Sequence, residues 1–551
     1  MQQRITINLN TDSKTTDKTT ILEYCRSHGI AGIETPCGGK GTCGKCKVTV
    51  TKPYYKDVLA CQTKICHGME IIVGRKESTG TGTVGQDIQT ASNAVNSIDK
   101  EDRMVVLTNG GSISEKFNEH VNEHVNRNVV LNEDTLAACD IGTTTVVCYL
   151  IDKETGQIIS TRSGANPQRS FGADVLSRID AAARADDNDK TNGGLQMMQT
   201  QIVSLLNGWI SEMLMECGRT KVCRFSVAGN TVMCHLLMGI SPEKLGKAPF
   251  MPDEYFGREY NPLDIGLENC QTMIIFPAVS GFVGGDITAG MMETVNCNEL
   301  TLYLDIGTNG EMALGKGDRY VCCATAAGPA FEGAQIELGM PASKGAVDKV
   351  WLEGRRIKYS VIGNDRPVGL CGSGLIDALA VLLKAGIIDE NGTILSGQEL
   401  PILFRSYVFE VEAEETAQST EPYLAVHIAP GVYITQEDIR KLQLAKGAIA
   451  AGIEVLFKEY GCTSCNIDVL TFAGGFGNYI DKASAAAIGL FPQELLDKAK
   501  EVGNAAGNGA VSAALSKEAW ERALEISGNM RYIELASYPH FDEMYVEHMN
   551  F

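Results

Sequence analysis

Apolar and polar residues alternate through RITINLN at residues 4–10, the period of a half-buried strand. TTILEYCRSHGI then takes helical spacing and stops at Gly29. CKVTV and MEIIVGR return to strand patterns, with LACQTKI between them, so residues 1–75 predict a small sheet with one helix. Over residues 76–134 the periodicity lapses. KESTGTGTVGQDIQTASNAVNSIDKED is small, polar and glycine-containing, as expected of a flexible, solvated linker. SEKFNEHVNEHVNRN predicts a short amphipathic helix with a thin apolar face, and its His120 and His124, without a third ligand nearby, read as surface residues. Further on, the most apolar helical run is LIDALAVLLKAGII at 375–388. It is too short to span a bilayer and contains Asp377 and Lys384.

The pattern then repeats. LAACDIGTTTVVCYLID at 136–152 matches LYLDIGTNGEMALGKG at 302–317: an apolar strand ending in Asp, an Ile-Gly-Thr turn, and a second strand. Two copies about 165 residues apart predict two related lobes, 135–300 and 301–551. Gly142 and Gly307 would let the backbone close around phosphate oxygens. Thr143, Thr144, Thr308 and Asn309 would add donors, and Asp140 and Asp305 could hold a magnesium ion against the phosphates. VLTFAGGFGNYID at 469–481 is a buried strand running into Gly474, Gly475 and Gly477 at the start of a helix, a geometry suited to a nucleotide.

The cysteines supply different chemistry. CGGKGTCGKCKVTV at 37–50 nearly spells a phosphate-binding P-loop, but Cys46 stands where a hydroxyl is needed and a strand, not a long helix, follows. As a metal loop it is coherent. Cys37, Cys43 and Cys46 run C-x5-C-x2-C, and the glycines allow backbone N–H groups to approach sulfur. A fourth ligand would be Cys61 or Cys66. One loop with an isolated cysteine favours an iron–sulfur cluster over zinc, which normally takes two C-x-x-C hairpins. Cys25 reads as packing, as do the adjacent Cys322 and Cys323. Cys462 and Cys465 form a C-x-x-C that is either a redox pair or a turn with packed thiols.

Composition narrows the setting. The chain of 551 residues is long enough for three or four domains. At 44% hydrophobic and 21% charged it is globular, and a net charge of −20 argues against nucleic acid or an anionic membrane as partner. The opening MQQRITINLNTDSKTT lacks the apolar core of a secretory signal. With 18 cysteines, that points to a reducing, cytoplasmic setting.

The cysteine loop resembles the ferredoxin-like 2Fe-2S domain, whose last ligand sits in a segment much like LACQ. The resemblance therefore selects Cys61. The first gap is one residue longer than the plant-type C-x4-C, and only fourteen residues separate Cys46 from Cys61. The paired DIGT turns and AGGFG resemble the phosphate and adenosine motifs of the sugar kinase, heat-shock ATPase and actin (ASKHA) superfamily. That implies ATP and Mg2+, with Thr145, Gly310 and Phe476 completing the motifs. SGFVGGDITAGM at 280–291, with Gly284, Gly285 and Asp286, resembles the superfamily's hinge helix, and GNAAGNGAVSAAL at 503–515 its counterpart. The implied fold is multidomain α+β and α/β: a β-grasp ferredoxin-like domain, a linker and a two-lobed ASKHA ATPase.

This combination resembles the reductive activators of corrinoid proteins, the O-demethylase activating enzymes among them. VAGNTVMCHLLMGISP, ATAAGPAFEGAQIELGMPA and GLCGSGLIDALAVLLKAGIID match further. The resemblance implies a one-electron reduction of Co(II) to Co(I) in a partner corrinoid protein, an external low-potential donor and a homodimer. Each ~59 mV by which such an electron runs uphill costs a factor of ten, so ~240 mV costs about 5.5 kcal/mol, which ATP would have to offset. In that picture Asn230 of AGNT positions water or phosphate. Glu332 of GPAFEG does the same or is an ordinary loop carboxylate, and Ser373 of CGSG caps a helix or touches the partner's corrinoid. Competing readings are an activator of a radical dehydratase, a small-molecule kinase fused to an electron carrier, and a nucleotide-gated electron-carrying scaffold.

Overall fold

Val48 and Val50 alternate with more polar neighbours, and that alternation builds the first sheet. Its strands are β1 (Gln3–Thr6), β2 (Lys47–Lys52), β3 (Lys56–Leu59) and β4 (Glu70–Val73), ordered β1-β4-β2-β3 and antiparallel throughout. Helix α1 (Ile21–Ser27) begins with a capping box. The Thr20 N–H donates to Glu23 at 2.7 Å and the Glu23 N–H donates to the Thr20 hydroxyl at 3.3 Å. Ile21, Leu22 and Cys25 of α1 pack with Val48, Val50 and Ile71 of the sheet. The charged strand β3 escapes the sequence pattern because it is an edge strand, exposed along much of its length. The computed structural model describes residues 3–6, 19–27, 33, 46–52, 56–65, 69–73, 135–183, 193–307, 309–333, 335–411, 422–474 and 479–551. The expected linker at 76–134, with His120 and His124, lies outside them, as does Cys66.

The second sheet contains β5 (Thr135–Ile141), β6 (Thr145–Asp152), β7 (Ile158–Ala165), β8 (Val222–Gly229), β9 (Arg258–Tyr260) and β10 (Cys270–Ile275), ordered β7-β6-β5-β8-β10-β9. Helices α2 (Val175–Ala183), α3 (Gly194–Glu216) and α4 (Thr231–Met238) lay Ile179, Leu206 and Leu236 into a core with Cys139, Phe225 and Ile275. Helix α5 (Gly285–Thr294) follows.

The third sheet repeats that plan. Strands β11 (Thr301–Ile306), β12 (Gly310–Lys316) and β13 (Arg319–Thr325) form an antiparallel meander as β5, β6 and β7 do. Cys322 and Cys323 are fully buried in β13. Two three-stranded sheets come next in the chain. One has β14 (Ala346–Glu353), β15 (Arg356–Val361) and β16 (Gly369–Leu370); the other has β17 (Val408–Val411), β18 (Tyr423–Ala429) and β19 (Val432–Thr435). Strands β20 (Val469–Ala473), β21 (Ala499–Glu501) and β22 (Met530–Tyr532) complete the third sheet in the order β21-β20-β11-β12-β13-β22. Its helices include α6 (Gly372–Lys384) and α7 (Gln436–Tyr460), then α8 (Lys482–Ala487), α9 (Ala505–Leu515), α10 (Lys517–Gly528) and α11 (Phe541–Glu547). The apolar run expected to continue to Ile388 ends its helix at Lys384, because Gly386 turns the chain at φ +65°.

By mutual contacts the chain divides into two compact units, Met1–Asp286 with Ala510–Trp520 and Ile287–Gly509 with Glu521–Phe551. No helix of the described residues is long and apolar enough to cross a membrane.

Candidate functional site

The backbone carbonyl of Cys46, which leads into β2, accepts the Ala60 N–H at 2.8 Å, fastening the turn after β3 beside it. Cys46 Sγ and Cys61 Sγ then stand 3.2 Å apart, the first buried and the second half-buried. Two thiolates bound at ~2.3 Å to one tetrahedral metal lie ~3.8 Å apart, so a small opening of this pair fits a shared iron. Cys37 and Cys43 lie outside the described residues. Cys25 is 1% exposed, and burial pushes its thiol up to about 11, which suits packing and not ligation.

The first DIGT turn links β5 to β6. The Gly142 N–H donates to Thr145 O at 2.9 Å, and a Cβ on Gly142 would lie 2.7 Å from that oxygen, so only glycine closes this turn. The turn's own carbonyls are all engaged by protein donors. Asn166 Nδ2 donates to Gly142 O at 2.8 Å, the Asn166 N–H donates to Thr144 O at 2.9 Å, and Arg178 Nη2 donates to Thr143 O. Arg178 is fully buried. Its Nε donates to Gly172 O at 3.0 Å, and burial, then Arg169, pulls its pKa below the ordinary guanidinium value.

Strand β8 runs parallel to β5 with Ala228 opposite Asp140 and Gly229 opposite Ile141, so Asn230 leaves the sheet beside the turn. Asn230 Oδ1 caps α4 by accepting the Met233 N–H at 2.9 Å, while Nδ2 donates to the Thr143 hydroxyl at 3.0 Å. Both polar ends thus hold the turn and the helix start together. Gly284 packs on the Asn230 backbone, and Gly285 opens α5 against Phe276. Burial, then the charges of Asp286 and Asp140, pushes the Cys234 thiol far up.

The second turn is built on the same frame. The Gly307 N–H donates to Asn309 O at 2.9 Å, and Gly310 starts β12. Parallel strand β20 puts Ala473 opposite Asp305, so Gly474 comes next to that carboxylate. Gly474 has φ +82°, and a Cβ there would collide with Asp305 Oδ1, so the position requires glycine twice over. A Cβ built on Gly307 would lie 4.0 Å from Glu332 Oε1, which brings the Glu332 carboxylate to the same turn. Thr308, Gly475, Phe476 and Gly477 lie outside the described residues.

Ser373 does not cap α6, contrary to one expectation. It sits inside the helix, largely buried, and its hydroxyl donates to Asp348 O at 2.8 Å; the N-cap position belongs to Cys371, which makes no side-chain cap. Cys462 is half-buried against the core, with its thiol raised by burial, and Cys465 is exposed on the next turn.

Sequence reasoning missed Asn166 and Arg178, which are far from the turn in the chain and carry no motif. It also missed that the tripeptides AGN at 228–230 and AGG at 473–475 place Ala228 and Ala473 alike, each opposite the aspartate of a DIGT copy. The signal was present: each tripeptide ends an apolar strand, SVAGN and TFAGG, that follows a DIGT copy.

Comparison with known proteins follows this division of the chain. A profile described as "2Fe-2S iron-sulfur cluster binding domain" covers residues 7–66, the "RACo middle region" covers 136–296, and the "C-terminal domain of RACo the ASKHA domain" covers 299–551. An iron–sulfur domain joined to an ASKHA fold is thus the class to which this chain's architecture conforms. The "Corrinoid activation enzyme RamQ" of Eubacterium limosum is 32% identical over 581 aligned positions, spanning 96% of this chain and 95% of the relative. A reductase of a Co(II) methylated amine-specific corrinoid protein from Methanosarcina barkeri is 26% identical over 397 positions, spanning 64% and 65%. The solved "Reductive activator for corrinoid,iron-sulfur protein" matches with a TM-score of 0.63 at 28% identity, over 98% of this chain and 96% of that one. The chain belongs to the family of reductive activators of corrinoid proteins.

Proposed function

We propose that this protein returns the cobalt of a corrinoid protein from Co(II) to Co(I) for methyl transfer, in a reaction driven by ATP. The observation that carries the reading is the duplication. Two turns, each with an aspartate registered against the end of a parallel Ala-Gly strand, occur in one chain with the converging Cys46–Cys61 pair. Cys37, Cys43, Cys46 and Cys61 would hold the 2Fe-2S cluster, whose chemistry when bound is donation of one electron at low potential. Asp140 and Asp305 organise Mg2+, and Glu332 orients water or phosphate at the second turn. The backbones of Gly142–Thr145 and Gly307–Gly310 hold phosphate, and Gly474–Gly477 approach the adenosine. Asn230 acts as a positioning residue, through Thr143. Gly284, Gly285 and Asp286 belong to the hinge.

Nucleotide binding and hydrolysis would favour one state of the chain that grips the Co(II) partner and another that releases Co(I). The linker 76–134 would let the domain at 1–75 travel between an external low-potential donor and the cobalt, in a cytoplasmic homodimer whose lobes are 135–300 and 301–551. The test is to mix reduced protein, MgATP and a Co(II) corrinoid protein and follow the cobalt absorption. Loss of the Co(II) band only when ATP is present supports the reading. Equal loss without ATP, or no iron and sulfide in anaerobically prepared protein, overturns it.

A further inference from the structure

Hairpin β14–β15 carries a local excess of basic side chains within an acidic chain. A register shift between Val347 and Lys349 lets Val347 and Val350 both reach the core, while Lys349, Trp351 and Glu353 face outward. Across the ladder these three meet Ser360, Lys358 and Arg356. Residues 344–366 hold six basic side chains against three acidic ones, in a chain whose net charge is −20. Lys344 pairs with Asp365 at 3.2 Å and Lys358 with Glu353 at 3.5 Å, and Asp348 accepts the Ser360 hydroxyl at 2.6 Å. Among the described residues no carboxylate forms an ion pair with Lys349, Arg355, Arg356 or Arg366, all of them exposed.

A solvated charged face has no need of a tryptophan, yet Trp351 stands 43% exposed in the middle of this one. The chain's other two tryptophans are packed: Trp209 against the core of the second sheet and Trp520 edge-on to Phe276 at 5.5 Å. An exposed aromatic with Lys349, Lys358 and Arg356 at neighbouring positions of its face, against the single carboxylate of Glu353, is the composition of an interface centre with a steering rim. In a strongly acidic molecule, such an island is where an acidic protein surface approaches without repulsion.

We propose that the outer face of this hairpin docks an acidic surface of a partner protein. Resting on the function proposed above, that partner is the corrinoid protein. Trp351 is the anchor, and Lys349, Arg356 and Lys358 set the association rate.

The test uses the full chain and a triple variant, Lys349→Glu with Arg356→Glu and Lys358→Glu, beside Trp351→Ala. Titrated with a Co(II) corrinoid protein that the wild type re-reduces, the triple variant binds roughly ten-fold more weakly at low salt, mainly through a slower on-rate, and the gap closes at high salt. Trp351→Ala weakens binding about ten-fold at either salt, and Trp351→Phe recovers part of that loss. ATP hydrolysis without partner stays at the wild-type rate in all of them, which excludes misfolding. Unchanged binding by both the triple variant and Trp351→Ala overturns the proposal while leaving the reductive function intact. Should the wild type neither bind nor re-reduce the corrinoid protein, the function fails. The hairpin is then judged with poly-glutamate: salt-sensitive binding lost in the triple variant upholds an acidic partner, and its absence overturns it. A shift in sedimentation of the triple variant relative to wild type assigns the face to a second copy of the chain and likewise overturns it.

Discussion

The two DIGT turns share a frame and differ in what surrounds them. Around the first, the surroundings are donors: Asn166, Arg178 and Asn230 take three of its carbonyls and a hydroxyl, and a buried guanidinium lies beneath it. Around the second, the described residues add a carboxylate: Asp305 lies against Gly474 as the counterpart of Asp140, and Glu332 reaches over Gly307 besides. Hairpin register separates them too. Asp140 faces Val147 across the first hairpin and Asp305 faces Glu311 across the second, so the first loop is one residue longer. With an aspartate common to both, the donors bracing the first turn suit an anion held firmly, whereas the added Glu332 at the second suits an activated water. Duplication thus supplied two similar cradles, and their neighbours made them chemically unequal.

The sharpest way to break this contrast is at the carboxylates. Asp305→Asn or Glu332→Gln lowers MgATP hydrolysis by about 10²–10³-fold while leaving nucleotide binding nearly intact. Phosphate release and a nucleotide titration check it, and an equal loss of binding would erase the distinction between the turns.

Next in size is the glycine comparison. Gly474→Ala puts a methyl group at φ +82° and into Asp305, costing about 1–3 kcal/mol of stability. Gly229→Ala, its counterpart, meets Ile141 O at 3.0 Å without a positive φ and costs less. Thermal unfolding of both variants reads the difference directly.

Each unit also buries one arginine or lysine side chain among the described residues, Arg178 in the first and Lys446 in the second. Arg178 serves the turn, whereas Lys446 Nζ donates to His548 O and Asn550 O near the end of the chain. Arg178→Met leaves buried carbonyls unpaired, at about 1–3 kcal/mol, and also weakens nucleotide binding. Lys446→Met lowers stability with nucleotide binding unchanged. Paired thermal and binding measurements distinguish the two roles.

The most gradual effect is a pH slope. Burial pulls the Lys446 pKa from 10.5 down to about 8, so between those values the unfolded chain binds more protons than the folded one. Stability from this residue therefore rises as pH increases through that window, by at most ~1.4 kcal/mol per pH unit, and the full penalty is present below pH 8. Denaturant unfolding at pH 7.5 and 10 should show this increment in wild type relative to Lys446→Met.

What the sequence determined by itself is local: the cysteine spacing, the repeated Asp-Ile-Gly-Thr, the glycines after β20 and the alternation that makes strands. Turn geometry and strand period depend on near neighbours in the chain, so they are written where they act. Tertiary structure decided which residues surround those turns. Parallel pairing brings Ala228 opposite Asp140 from 88 positions away and Ala473 opposite Asp305 from 168, a register no periodicity encodes. Packing likewise seats Arg178 under the first turn and directs Ser373's hydroxyl to Asp348, where the sequence suggested a helix cap. These placements depend on burial and on long-range hydrogen bonds, whose partners meet only when the sheets and helices close around a shared core.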